Sequence, residues 1–179
     1  EEFEIIRRDV KMFREAGADG VVIGILKPDG TLNLEQMAIL MEEAGDMKVT
    51  MHRAFDVCVD PMAALQQAKD LHISTILTSG QKNTAMEGKD LLCTLVKEAG
   101  NDIDIMIGSG VKASVIEELA PLTGATTFHM SGKITLDSPM IYRKDDVSMG
   151  LPLVSEYTLW QTSAEEIRKA REVLDRVCK

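Results

Sequence analysis

Apolar residues recur along the chain in two alternating rhythms, one helical and one extended. Phe3, Ile6, Val10 and Phe13 fall at helical spacing and predict a first helix that stops at Gly17. Val21-Val22-Ile23-Gly24-Ile25 is a β-branched run and reads as a buried strand. Asn33 then caps a helix carrying Leu34, Met37, Ala38 and Met41, and Lys48–His52 forms the next strand. Asp60-Pro61 opens a helix with Leu65, Ala68 and Leu71 on its apolar stripe, because proline suits the first turn and Asp accepts from the free N–H groups. Thr75–Ser79 is a strand. Thr84–Glu87 is a capping-box sequence leading into a helix with Leu91, Leu92, Leu95 and Val96. Ile103–Ile107 is a strand, Val115, Ile116 and Leu119 mark a short helix, and Thr126–His129 is the last strand. An irregular, turn-rich stretch follows. A second capping box at Ser163–Glu166 starts a terminal helix with Ile167, Ala170, Leu174 and Val177 on one face.

Strands alternating with helices argue for a parallel α/β sheet with right-handed crossovers. Repeated units of similar length, with no linker between them, favour a TIM (β/α)8 barrel. An open doubly wound sheet would carry a glycine-rich first turn such as GxGxxG, and none is present. The pattern supplies five strands where a closed barrel needs eight, so three βα units are expected before Glu1. The whole chain, 1–179, reads as one barrel domain that is incomplete at its N-terminal side. A first residue other than Met fits a processed chain or a fragment.

Charge narrows the partners. With 29 acidic against 20 basic residues the net charge is −9, and that field repels phosphate backbones, which disfavours nucleic-acid binding. Any anion site must be local. No apolar run approaches the roughly 20 residues of a membrane span. Cys58, Cys93 and Cys178 are odd in number, far apart and outside any CxxC spacing, which fits a reducing cytoplasmic setting rather than a disulfide framework or zinc site.

In parallel α/β folds, sites form where strands end. Here the strand ends turn polar together: His52-Arg53-Ala54-Phe55-Asp56, Thr78-Ser79-Gly80, Gly108-Ser109-Gly110 and His129-Met130-Ser131-Gly132-Lys133. Strand alternation turns Val49 and Met51 toward the helices, and so points Thr50 and His52 inward. The same logic points Thr127 and His129 inward. Gly24, Met106 and Gly108 join them, with the glycines leaving room for a ligand.

The residues exclude some chemistries. No lysine stands near a strand end for a Schiff base, and only Asp56 is available where a glycosidase needs paired acids. His52 and His129 could serve as general acid and base, with Arg53 holding an anionic group and Asp56 orienting Arg53 or His52. Ser79, Gly108, Ser109, Gly110, Ser131 and Lys133 could cradle a phosphate. Alternatively His52 and His129 with Met106 or Met130 offer a soft-to-borderline ligand set suited to Cu(I). Catalysis and metal binding both stay open on this reading. Met37, Met41, Met62 and Met86 lie within helices and read as packing.

Five blocks in order, Gly17–Gly24, Met51–Asp56, Ile76–Gly80, Met106–Val111 and Phe128–Ser131, resemble the copper homeostasis protein CutC family over nearly the whole chain. The resemblance implies a cytoplasmic TIM barrel, associating as a homodimer, with a role in handling copper. It places the segment ending at Phe3 after the family's third strand, and it assigns no copper role to the three cysteines. Three functions compete: a Cu(I)-binding or trafficking protein, an enzyme acting on a small phosphorylated or carboxylated metabolite, and a scaffold engaging partners through acidic helices.

Overall fold

A computed structural model describes residues 1–144, 146–147, 149–150 and 155–178. Helix α1 (Glu2–Glu15) leads into β1 (Gly20–Ile23), α2 (Leu34–Ala44) and β2 (Lys48–Met51). A 3₁₀ turn at Arg53–Val57 precedes α3 (Pro61–Asp70), β3 (Thr75–Thr78), α4 (Lys89–Ala99), β4 (Asp104–Ile107), α5 (Ala113–Thr123) and β5 (Thr127–Phe128). The five strands lie side by side in chain order, every neighbouring pair parallel. This is the arc of a (β/α) barrel, and it agrees with the strands expected from the sequence.

Local chemistry sets the helix starts. Asn33 accepts from the Gln36 N–H at 3.2 Å, and Asp60 accepts from Met62 and Ala63 ahead of Pro61. The Thr84–Glu87 box forms both of its reciprocal bonds, but α4 starts beyond it, so the box closes the turn that delivers the chain to the helix.

Register sorts the sheet into two faces. Ile23, Met51, Ile76 and Ile105 share the outer face and are buried under the helices. Val22, Thr50 and Thr75 line up on the other face, as do Leu77, Met106 and Thr127. That inner face is open, with Val22 62% exposed on it. The core divides into a cluster spanning α1–α3 and a second one around α5, where Ala170 of α6 (Ala164–Val177) is buried.

The stretch after His129 contains two strands that its turn-rich composition did not announce. Strand β6 (Lys133–Asp137) pairs antiparallel with β7 (Thr158–Thr162) in a separate ribbon. Residues 145, 148 and 151–154 of that stretch lie outside the described residues. No described helix is long and apolar enough to cross a membrane.

Candidate functional site

The carboxyl end of β2 turns directly into the Arg53–Val57 turn, which is pinned by fully buried Phe55. This places the Asp56 carboxylate, 5% exposed, against the end of β3. Its Oδ1 accepts from Thr78 Oγ1 at 2.5 Å, from the Ser79 N–H at 3.0 Å and from the Gln81 N–H at 3.1 Å. Its Oδ2 accepts from Arg53 Nε at 2.6 Å and from the Ser79 N–H at 3.1 Å. Burial by itself pushes this carboxyl upward; the bonds from Thr78, Arg53, Gln81 and Ser79 outweigh it and hold the group below the usual carboxylate range.

Arg53 is fixed along one side. Besides Asp56, its Nη2 donates to Ser79 Oγ at 2.8 Å and to the Lys82 carbonyl at 3.4 Å. Ser79 Oγ in turn donates to the Lys82 carbonyl at 2.5 Å, with Asp56 Oδ2 3.0 Å away. Among the described residues, no hydrogen bond engages Arg53 Nη1. Arg53 lines a cleft of about 570 Å³ with Asp56, Val57, Gln81, Lys82, Asn83 and Glu87. Gln81, at a left-handed φ of 58°, locks the turn from below: its Nε2 donates to the Cys58 carbonyl at 2.8 Å. Cys58 is buried, and burial raises its thiol above the ordinary value despite the Gln81 contact. It is therefore a poor nucleophile and a poor thiolate ligand.

His52 faces the other way from Arg53. Its Nδ1 accepts from the Ala54 N–H at 3.1 Å, so a neutral ring carries its proton on Nε2. A Cβ at Gly24 would lie 2.7 Å from the His52 ring, so glycine there lets the imidazole lie against β1. Likewise, Leu77 fills the notch at Gly108, where an added Cβ would stand 2.6 Å from its Cδ1. These glycines make room for neighbouring side chains rather than for a ligand, which corrects the expectation from the sequence.

The structure gathers Arg53, Asp56 and Ser79, and adds Thr78, Gln81 and Lys82. His52 and His129 stand just past the ends of β2 and β5. Strands β3 and β4 intervene, a separation on the order of 12–14 Å at normal strand spacing. That is a backbone separation, which side chains directed inward from both strands shorten. Met106 pairs in register with Thr127, which puts His129 on the same face diagonally across neighbouring strands. His52 lies outside that pair, and its Nδ1 lone pair is already engaged.

The loops expected to cradle a phosphate also bond to neighbouring segments through their carbonyls and the Ser109 hydroxyl. Ser109 Oγ donates to the Asn83 carbonyl at 2.6 Å, and the Ser109 carbonyl accepts from Ala85 N–H, stitching Gly108–Gly110 to the loop after β3. Past β5, Ser131 and Gly132 bond through their carbonyls to Thr162 and Ser163. Lys133 stands 4.1 Å from the Trp160 ring centroid within the β6–β7 ribbon. Among the described residues, no three His, Cys, Asp or Glu side chains converge in a way that could hold a metal ion.

Fold and site together define a parallel β/α barrel-type protein whose polar rim lies at the carboxyl ends of its strands. The sequence model of the CutC family matches residues 1–134. A CutC family protein of Porphyromonas gingivalis is 41% identical over 175 residues, covering 97% of this chain and 71% of that protein. The human copper homeostasis protein cutC homolog is 38% identical over 168 residues, covering 93% and 62%. A crystal structure of CutC from Streptococcus agalactiae superimposes with a TM-score of 0.68 at 29% identity, covering 72% of this chain and 63% of that one. The chain belongs to the CutC family. It spans less than two thirds of the length of the human and streptococcal proteins.

Proposed function

We propose that the chain serves copper homeostasis by recognising a small anionic molecule, a phosphate ester or carboxylate, in the cleft beside Arg53 and Lys82. The carrying observation is the state of Arg53: Nε and Nη2 are held by Asp56, Ser79 and Lys82, while Nη1 remains available at the cleft. A guanidinium preorganised on one edge binds an anion without losing further side-chain freedom. A cytoplasmic location and association as a homodimer are part of this proposal, and the family resemblance supports them. Calorimetric titration with inorganic phosphate tests the reading. Arg53→Ala should weaken binding by roughly 10–100-fold, the worth of a charge-assisted hydrogen bond, and His129→Ala should leave it unchanged. Equal affinity in Arg53→Ala would remove the cleft from the function.

A second reading rests on Met106 and His129. Their diagonal placement on the open inner face fits a thioether–imidazole pair for Cu(I), and two of the relatives carry copper homeostasis in their names. On that reading, competition titrations with a Cu(I) chelator show weaker binding in Met106→Leu and His129→Ala and unchanged binding in His52→Ala. Unchanged Cu(I) affinity in both of the first two variants would dismiss it.

A further inference from the structure

The turn after β3 is built as an anion receptor, and its occupant is part of the chain. Gly80 and Gln81 both take positive φ, +70° and 58°, so the chain folds back and the N–H groups of Ser79 and Gln81, either side of Gly80, face one point. The N–H groups of Ser79 and Gln81 converge there on Asp56, joined by Thr78 Oγ1 from the strand end and Arg53 Nε from across the cleft. Only Arg53 among these donors comes from the turn that carries Asp56; the others belong to the β3 end and are shaped by its own backbone. Gly80 N–H donates to Thr78 Oγ1 at 3.0 Å, and Gln81 Nε2 reaches the carbonyls of Phe55 and Cys58. The receptor's shape is thus tied down by bonds that do not pass through the carboxylate.

We infer that Arg53, Thr78, Ser79 and Gln81 form a carboxylate-binding site in their own right, which accepts a free one-carbon carboxylate once the Asp56 side chain is removed. The ligand class follows from the donor distribution. Thr78 and Gln81 address one oxygen, Arg53 addresses the other, and the Ser79 N–H is shared between them at 3.0 and 3.1 Å. That set satisfies a planar pair of oxygens. A tetrahedral phosphate would bring further oxygens into a pocket with no donors directed at them, beside a turn anchored by fully buried Phe55. This inference does not depend on the anion cleft proposed above, which uses the opposite edge of Arg53.

The experiment is thermal unfolding of Asp56→Gly in sodium formate, with sodium chloride at matched ionic strength as the control. Glycine removes Cβ as well and leaves space for the formate hydrogen. Formate at about tenfold its dissociation constant should raise Tm by roughly 3–5 °C, and the rise should keep growing with the logarithm of formate concentration. Wild type should show no such rise, since its receptor is filled. Asp56→Asn should show none either, since the amide occupies the same seat. If Asp56→Gly is unfolded at room temperature, formate should restore native circular dichroism and chloride should not. A folded Asp56→Gly indifferent to formate, an unfolded one that formate fails to restore, or an equal rise in wild type would each overturn the inference. Loss of phosphate binding in wild type would bear on the cleft alone.

Discussion

Asp56→Ala is expected to lower the unfolding free energy by about 3–5 kcal/mol. The carboxylate is nearly buried and ties the Arg53–Val57 turn to the end of β3. Its removal leaves Thr78 Oγ1, Arg53 Nε and the N–H groups of Ser79 and Gln81 facing a void. In a chain of this length, such a loss corresponds to a Tm decrease of roughly 6–20 °C. The same residue gives the stability curve a signature in acid. Its folded-state pKa is depressed, because the hydrogen bonds outweigh burial. Its contribution is therefore complete above the unfolded carboxyl value near 3.9 and disappears as pH falls through the lower folded value. Asp56→Asn should accordingly lie below wild type at neutral pH, with the gap narrowing as pH drops below about 4. Parallel acid limbs, measured by urea unfolding across that range, would show that the carboxylate is not held by its charge.

Gly88→Ala should cost about 2–4 kcal/mol, although position 88 touches no ligand group. A Cβ there would sit 1.9 Å from the Ser79 carbonyl oxygen and 2.9 Å from Gly80 Cα. Both are backbone atoms, so the strand end itself must shift. Gly80 meets the same crowding in reverse, 2.3 Å from the Gly88 carbonyl, and at a φ of +70° it is strained for any side chain. The substitution should therefore weaken stability and anion binding together. A Gly88→Ala chain that unfolds like wild type would mean that the Ser79 turn is not locked by the start of α4.

Why some of this was legible and some not has a physical basis. Period-two alternation identified which side of β2 carries His52, and the burial of Val49 and Met51 against half-buried Thr50 agrees. The β/α rhythm likewise announced the parallel arc, since each unit's apolar stripe is a local property. The partnership of Arg53, Asp56 and Ser79 was half visible, as polar strand ends, but Gln81 and Gly88 were not. Their roles come from a positive φ and from a backbone contact between two turns, and neither leaves a periodic trace. The β6–β7 ribbon escaped for a related reason. Ile134 and Leu136 do alternate with polar residues, but their partners Gln161 and Leu159 lie more than twenty residues away across turn-rich chain. Lys133 consequently read as a loop cation when it is a strand residue stacked on Trp160. His52 and His129 both lie toward the inner side of the arc with two strands between them, a spacing that the linear order does not display.

The most direct measurement follows the Arg53 Nε–H resonance by NMR while inorganic phosphate is added. A saturable shift at Arg53 that tracks the calorimetric isotherm is expected, with the arginines on the helices stationary. A stationary Arg53 signal at saturating phosphate, or drifts of equal size at arginines scattered over the helices, would contradict it.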